Sequence, residues 1–189
     1  ACVHGNRGLR RPASPHLISE IRLICELAGT LEPSDLDLEV GELDLIAGAP
    51  PCQPFSKSSY WINGDAPRLD DPRADTLTAY LRVLRDLRPR AFLLENVPGL
   101  TYKGKDEGFQ HLVRGIALIN KECGTNYRVA CKAINAAHYG VPQIRERVFL
   151  VGSRDGHAFA FPSPTHTAPD NTQTLEGRLE PYRTAWDAI

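Results

Sequence analysis

The chain has 189 residues and a mass of 20.9 kDa, with 42% hydrophobic and 24% charged residues, as expected of a globular protein of one or two domains. Its formal net charge is −1, so no overall basic field marks it as nucleic-acid binding, and such a partner would be held by a local patch. No apolar run approaches the ~20 residues that span a bilayer, and the polar residues 1–15 lack the apolar centre of a signal peptide. The five cysteines are odd in number and form no CxxC pair, which argues against a disulfide framework or a metal site and favours a reducing compartment.

Apolar residues recur along the chain with the periods of helices and strands. In chain order, the patterns predict a helix at 15–28, a buried strand at 43–48, a loop at 49–72, a helix at 74–88, a strand at 90–97, a helix at 107–123, an alternating stretch at 127–136 and a strand at 147–152. This order predicts an α/β fold with a mostly parallel sheet covered by helices. The sequence then becomes rich in Pro, Thr and His, so we expect a domain over 1–155 and a connector over 156–189, whose His166 receives no role.

Two of the predicted strands end in sequences with reactive side chains. The first is followed by PPCQ, which contains Cys52, and the second ends in LEN, which contains Glu95. Ligands of such sheets bind at the carboxyl ends of the strands, and neighbouring strands would bring these two side chains to one edge. A lone cysteine is most often a small buried hydrophobe, but a thiol in a proline-bounded loop after a strand is placed to act as a nucleophile. A strand-terminal acid commonly faces water, whereas the apolar run before Glu95 predicts partial burial, which would raise its pKa and let it donate a proton near neutral pH.

The arginines form two groups with different interpretations. Gln143, Arg145 and Arg147 are spaced by two, so in an extended segment their side chains share one face. They are either ordinary residues of an exposed strand start or a row of fixed donors that can bind carbonyl or phosphate oxygens. The arginines at 82, 85, 88 and 90 we interpret as a solvated helix face rather than a phosphate-binding stripe.

Taken together, these stretches resemble the cytosine-C5 DNA methyltransferases over residues 43–189. The stretch PPCQPFS resembles the nucleophile motif of that family, ENVPGL its Glu-Asn-Val motif, and NAAHYGVPQIRERVFLVGSR its Gln-x-Arg-x-Arg motif. The stretches DDPR and FPSPTHT…WDAI also match, and all five occur in the family's order. The resemblance implies the S-adenosylmethionine-dependent methyltransferase fold, a Rossmann-like, mostly parallel sheet with helices on both faces, here incomplete.

The resemblance also implies an activity and roles for individual residues. The chain would be a DNA (cytosine-5-)-methyltransferase that moves a methyl group from S-adenosylmethionine to C5 of a flipped cytosine through a covalent adduct between Cys52 and C6. Glu95 would protonate N3 of the base, while Arg145 and Arg147 would bind its carbonyl oxygen. Pro51 would contact the cofactor, and the residues that would contact double-stranded DNA are Gln53, Ser56, Lys57, Asn96 and Gln143. The loop at 53–68 would close over the DNA. Such an enzyme would belong to restriction–modification and work in the bacterial cytoplasm or at the nucleoid.

The match is incomplete at the amino-terminal end. Nothing before Leu43 resembles the family's Gly-rich cofactor motif, and Thr30 stands near the place where the family has an acidic residue. The chain also begins with Ala1 and contains no methionine, so we expect it to be part of a longer methyltransferase that lacks its cofactor motif and most of its target-recognition region here. The alternatives are one polypeptide of a split enzyme with a partner chain, a tRNA cytosine-5 methyltransferase, and a non-catalytic nucleic-acid-binding homologue.

Overall fold

A mixed four-stranded sheet is the framework of the part of the chain that the structure, a computed structural model, describes. The residues described are 38–51, 75–104, 106–168, 173–174 and 177–189. The predicted helix at 15–28 and residues 52–72 of the predicted loop lie outside them.

The elements follow the predicted order closely. The strands of the sheet are β1 (Leu45–Gly48), β2 (Ala91–Asn96), β3 (Arg128–Asn135) and β4 (Glu146–Ser153), and the helices are α1 (Asp75–Leu87) and α2 (Glu107–Cys123). Short 3-10 helices cover Pro98–Thr101, Ala136–Tyr139 and Ala185–Ala188. The short strands after the sheet are β5 (His166–Thr167), β6 (Gln173–Thr174), β7 (Gly177–Arg178) and β8 (Glu180–Pro181). Among the described residues, the predictions of helices at 74–88 and 107–123 and of strands at 43–48, 90–97 and 147–152 are therefore confirmed.

The strand order of the sheet is β1-β2-β4-β3. β1 and β2 run parallel, as predicted, whereas β4 lies between β2 and β3 and runs antiparallel to both. The expected α/β methyltransferase-type architecture is confirmed, but the described part of the sheet is mixed rather than mostly parallel. The reason is the short 136–145 connection between β3 and β4, because a parallel crossover needs about a dozen residues or more, usually with a helix.

Both described helices pack on one face of the sheet. The alternation of β2 places Phe92, Leu94 and Asn96 on the helix side, where all three are buried, and leaves Leu93 and Glu95 half-buried on the other side. The helices and the 3-10 turn contribute buried Leu77, Leu81, Leu84, Leu100, Leu112, Ile116 and Ile119 to this core. Each such apolar side chain stabilises the fold by roughly 1.5–3 kcal/mol when fully buried, so this face holds most of the stabilising contacts of the described residues.

The segment after β4 folds back over the opposite face of the sheet. Phe159 and Phe161 are in edge-to-face contact, with ring centroids 5.0 Å apart, and line an apolar cavity of about 270 Å³ with Leu93 and Val151. The Tyr139 hydroxyl donates to the carbonyl of Pro162 at 2.9 Å. Residues 159–162 are thus in contact with the sheet and with the turn that precedes β4. No helix within the described ranges is both long and apolar enough to cross a membrane.

Candidate active site

The carboxyl ends of β1 and β2 meet at one edge of the sheet, where the sequence predicts the reactive side chains. Asn96 joins the two ends, since its Nδ2 donates to the carbonyl of Pro50 at 3.2 Å and its Oδ1 accepts from the backbone N–H of Val97 at 2.9 Å. Its side chain is 1% exposed, so these contacts replace water and hold the backbone leading to Pro51 against the end of β2. Cys52 is the next residue and lies outside the described residues.

Glu95 and Arg147 form an ion pair at the same edge. Arg147 Nε lies 2.9 Å from Glu95 Oε1, and the two side chains are 29% (Glu95) and 24% (Arg147) exposed. Glu95 is in register with Phe149, so Arg147, two positions earlier on β4, is its diagonal neighbour on the same face. Arg147 is fixed further because its Nη1 donates to the carbonyl of Glu146 at 2.6 Å. The partial burial expected for Glu95 is confirmed, and the pairing across β2 and β4 supplies a reason for it.

Arg145 lies one residue before β4 with an exposed side chain. Its backbone is held firmly, because its N–H donates to Asn135 Oδ1 at 3.2 Å and its carbonyl accepts from the N–H of Ala136 at 2.9 Å. Asn135 Oδ1 also accepts from the N–H of Ala137 at 3.1 Å, so one side chain caps the 3-10 helix and holds the arginine segment. We did not identify Asn135 from the sequence. Its position directly before a short helix is the available signal, since Asn is a preferred N-cap residue.

The remaining predicted residues divide into those that the structure places and those that it does not. Gln143 is exposed in a bend before β4. The extended segment in which Gln143, Arg145 and Arg147 would share one face therefore does not include Gln143. Pro51 is exposed at the end of the β1 loop. The predicted residues that lie outside the described part of the chain are Cys52, Gln53, Ser56 and Lys57. Within the described ranges, no group of three or more His, Cys, Asp or Glu residues is placed to hold a metal ion.

Of the four arginines interpreted as a helix face, Arg82 and Arg85 lie on α1, whereas Arg88 and Arg90 follow its end. Arg82 Nη1 lies 3.6 Å from Asp86 Oδ2, and Arg85 Nε lies 3.0 Å from Asp86 Oδ1. Arg90 pairs with Asp44 at 3.3 Å, and Arg88 Nε donates to the carbonyl of Arg85 at 3.3 Å. The Asp86 carboxylate raises the pKa of Arg85 through a side-chain hydrogen bond and charge attraction. The predicted solvated helix face is therefore limited to Arg82 and Arg85, of which Arg85 is exposed and Arg82 half-buried.

The arrangement at the sheet edge suits recognition of a planar, polar ring. A carboxyl group can accept from an amine or, when protonated, donate to a ring nitrogen, and a guanidinium donates to a carbonyl oxygen. Arg147 engages Oε1 of Glu95, and no described residue binds the other carboxyl oxygen. The hydrogen bond from Asn96 holds Pro50 at this edge, and Pro51, the residue before Cys52 in the sequence, follows it directly.

Comparison with known proteins places these features in context. The family profile described as C-5 cytosine-specific DNA methylase matches residues 19–186. Type II methyltransferase M.SacI of Streptomyces achromogenes is 48% identical over 153 residues, which cover 80% of this chain and 37% of the relative. Type II methyltransferase M.AquIA of Picosynechococcus sp. is 39% identical over 153 residues, which cover 78% of this chain and 60% of the relative. The chain therefore spans less than two thirds of the length of each of these curated relatives.

Solved structures of methyltransferases are also similar to this chain. A DNA modification methyltransferase encoded within an E. coli prophage is 25% identical with a TM-score of 0.49, covering 67% of this chain and 32% of that one. The Entamoeba histolytica methyltransferase EhMeth is 16% identical with a TM-score of 0.49, covering 88% of this chain and 43% of that one.

Proposed function

Because this chain belongs to the C-5 cytosine-specific DNA methylase family, we propose that it acts in the transfer of a methyl group to C5 of a cytosine in double-stranded DNA. The observation that carries the proposal is the ion pair between Glu95 and Arg147, beside the Asn96-held loop that leads to Cys52. The relatives named Type II methyltransferases support a place in a restriction–modification system, and hence in a bacterial cytoplasm or nucleoid.

In the proposed mechanism, Cys52 and Glu95 act on opposite sides of the reacting ring. The Cys52 thiolate adds to C6, and the electron pair of the C5–C6 bond becomes available at C5. Glu95 donates a proton to N3 as negative charge builds there, and Arg147 keeps the carboxyl group oriented toward the base. After methylation, loss of the C5 proton to solvent re-forms the C5–C6 double bond and expels the thiolate, and N3 returns its proton to the Glu95 carboxylate. Cys52 is thereby regenerated.

Arg145 and the loop at 53–68 are assigned to substrate binding. The exposed guanidinium of Arg145 is proposed to bind the cytosine carbonyl oxygen together with Arg147, whose guanidinium is already oriented by its contacts with Glu95 and the carbonyl of Glu146. A cytosine inside a duplex is out of reach, so the target is proposed to be flipped into the pocket. The residues proposed to contact the DNA around it are Gln53, Ser56, Lys57, Asn96 and Gln143. Asn96 is buried and bonded to the carbonyl of Pro50, so any contribution of this residue to DNA binding is proposed to act through the backbone at Pro50.

S-adenosylmethionine is the proposed methyl donor, and when bound it supplies the electrophilic methyl group. The described residues fit one part of such a site, because Pro51 is exposed at the carboxyl end of β1, where ligands of α/β sheets bind. An adenosyl group needs further polar partners for its base and ribose hydroxyls. We propose that these come from outside the described residues or from a partner chain, which keeps the split-enzyme alternative open.

The covalent step provides the test. Random-sequence duplex DNA containing 5-fluorocytosine would be incubated with the purified protein and S-adenosylmethionine, because a C5–F bond blocks the final elimination and leaves the adduct in place. We expect a denaturation-resistant protein–DNA species with the wild type and none with Cys52→Ala. Cys131→Ala, which alters an exposed thiol on β3, is the matched control and should form the adduct.

The other outcomes separate the alternatives. An adduct that persists in Cys52→Ala contradicts the assigned nucleophile. Duplex binding without an adduct in the wild type favours a non-catalytic homologue or a missing partner chain. An adduct that forms only on a 5-fluorocytosine-containing tRNA favours the RNA methyltransferase.

A further inference from the structure

His166 is a buried polar residue in a segment for which the sequence suggested no function. Its relative exposure is 6%, and its Nδ1 lies 2.8 Å from the hydroxyl oxygen of Thr165. Its Nε2 lies 3.3 Å from Glu180 Oε2 on the paired strand β8, although the geometry is not that of a hydrogen bond with any described residue. Burying a polar ring has a free-energy cost, so a purely structural connector would be better served by an apolar side chain.

The ring of His166 packs directly on Gly140, at the turn before β4. A β-carbon built on Gly140 would lie 2.9 Å from Cε1 and 3.3 Å from Nε2 of the imidazole. Gly140 has φ +81°, a left-handed conformation that glycine adopts without steric cost. The glycine therefore serves two purposes at once, since it turns the chain and leaves room for the imidazole.

Hydrogen bonds connect this turn to the arginine segment. The N–H of Gly140 donates to the carbonyl of Ala137 at 3.3 Å, and the N–H of Ala137 donates to Asn135 Oδ1. The same oxygen accepts from the N–H of Arg145, and the next alternate residue, Arg147, carries the contact with Glu95. These bonds form a continuous path from the turn at Gly140 to the backbone of the segment that carries both arginines.

Two further contacts fasten the connector to the same turn. The N–H of Thr165 donates to the carbonyl of His138 at 2.9 Å, and the rings of His138 and Tyr182 lie 5.6 Å apart. Both contacts are near the surface, whereas His166 fills the space between strand β5 and the turn. The buried imidazole is thus the central contact between the connector and the turn.

We propose that His166 is a positioning residue for the candidate active site: its imidazole, held by Thr165 and packed on Gly140, fixes the Gly140 turn and thereby the segment that carries Arg145 and Arg147. The catalytic consequence rests on the proposed function, whereas the structural consequence does not. The connector then has a specific role, because the contact of His166 with the Gly140 turn stabilises the positions of Arg145 and Arg147. Any shift of the connector when DNA binds would reach Arg145 and Arg147 along the same path.

The test compares the purified wild-type protein with His166→Ala, His166→Gln and His157→Ala. His157 is an exposed histidine of the same connector and is the matched control. The first readout is the ¹H–¹⁵N signal of Arg147 Nε, assigned by its loss in Arg147→Lys, because this atom contacts Glu95 and needs no activity to be observed. We expect the signal to shift or broaden in His166→Ala and to be unchanged in His157→Ala. In His166→Gln, whose amide reaches the position of Nε2, we expect it to be largely restored.

The second readout is methyl transfer, with kcat and the KM for DNA determined separately. We expect His166→Ala to lower kcat about tenfold or more, because small misplacements of catalytic groups are costly, with a much smaller change in KM. A variant that is merely less stable would show a lower unfolding midpoint but a wild-type kcat per folded molecule. An unchanged Arg147 signal and kcat in folded His166→Ala would overturn the proposal.

A second variant keeps the test decisive if His166→Ala does not fold. Thr165→Ala removes only an exposed hydroxyl that orients the imidazole, and the backbone contact of residue 165 remains. It should give a smaller change of the same kind in the Arg147 signal, and an unchanged signal would count against the proposal. If the wild type transfers no methyl group, the proposed function fails, while the spectroscopic comparison still decides the role of His166.

Discussion

At the scale of single residues, the site depends on side chains that are held before any substrate arrives. Glu95 and Arg147 are each about a quarter exposed, so their ion pair is only partly screened by water. Asn96 is fully buried and uses both ends of its carboxamide on backbone groups. These contacts orient two of the groups that the proposed chemistry needs, the Glu95 carboxyl group and the Arg147 guanidinium.

The residue-scale prediction concerns Glu95→Gln. A carboxamide keeps the shape of the side chain but cannot supply the proton to N3 or form the ion pair with Arg147. We expect the methyl-transfer rate to fall by about 10²-fold or more, with little change in the Kd for duplex DNA. The free energy of unfolding should fall by less than about 1 kcal/mol, because the pair is partly exposed.

The measurements are methyl incorporation, DNA binding by fluorescence anisotropy and urea unfolding. Glu146→Gln is the matched control, since Glu146 is the exposed neighbour of Arg147 and its carbonyl, rather than its side chain, accepts from that arginine. A wild-type rate in Glu95→Gln would remove Glu95 from its assigned role.

At the scale of elements, close packing between β2 and β4 leaves no room for a side chain at one position of the shared core. Gly152 is in register with Phe92, and a β-carbon built on Gly152 would overlap the phenyl ring. That ring cannot easily move, because it is in edge-to-face contact with Tyr80 and Tyr127, whose ring centroids lie 6.5 and 5.6 Å away. The glycine is therefore required by packing rather than by backbone conformation.

The element-scale prediction is that Gly152→Ala lowers the free energy of unfolding by about 1–3 kcal/mol, the usual cost of overpacking a core. The added methyl group must push the Phe92 ring out of its contacts. Ala133→Val, at an exposed position of neighbouring β3, adds volume without this overlap and should be close to neutral. Urea unfolding followed by circular dichroism measures both, and equal stabilities of the two variants would contradict the packing argument.

At the scale of the whole molecule, the two ends of the sheet have different tasks. At the end opposite the candidate site, Arg154 Nη1 donates to the carbonyls of Gly41 at 3.0 Å and Arg88 at 2.6 Å, and the Tyr127 hydroxyl donates to the carbonyl of Pro89 at 2.6 Å. These bonds join segments far apart in the chain. Hydrogen bonds between distant segments thus stabilise one end of the strands, and the ion pair between Glu95 and Arg147 lies at the other end.

The whole-molecule prediction is a loss of stability in alkali. Burial raises the pKa of Tyr127 and of Tyr80 above the ordinary value near 10. Above that pH the unfolded chain releases the phenol protons while the folded chain retains them, so the free energy of unfolding decreases as pH rises. At neutral pH the two phenols are protonated in both the folded and the unfolded chain, so their ionisation does not reduce the free energy of unfolding there.

Urea unfolding at neutral pH and above pH 10 checks this prediction. At neutral pH the free energy of unfolding of Tyr127→Phe should be about 1 kcal/mol below that of the wild type, because the hydrogen bond to Pro89 is gone. In alkali the free energy of unfolding of this variant should fall less steeply with pH than that of the wild type. Tyr102→Phe, which alters an exposed tyrosine, should show the same dependence of the free energy of unfolding on pH as the wild type. Identical slopes in all three proteins would be evidence against this account.

The family and the longer helices and strands of the described residues could be predicted from the sequence, whereas the short strands β5–β8 could not. Periodicity reports which side of an element faces the core, and this is why the bounds of α1, α2, β2 and β4 could be predicted closely. Motif order alone was enough to indicate cytosine-C5 methyltransferases, and the partial burial of Glu95 followed from the apolar run before it. The roles of Cys52 and of the loop after it stay predictions.

How these elements combine could be learned only from the folded chain. The insertion of β4 between β2 and β3 depends on hydrogen bonds between strands, which periodicity does not encode. The tasks of Asn96 and Asn135 and the burial of His166 likewise depend on contacts between segments distant in sequence. A local pattern can show that a side chain is polar, but whether that side chain faces water or a backbone group is settled only when the chain packs on itself.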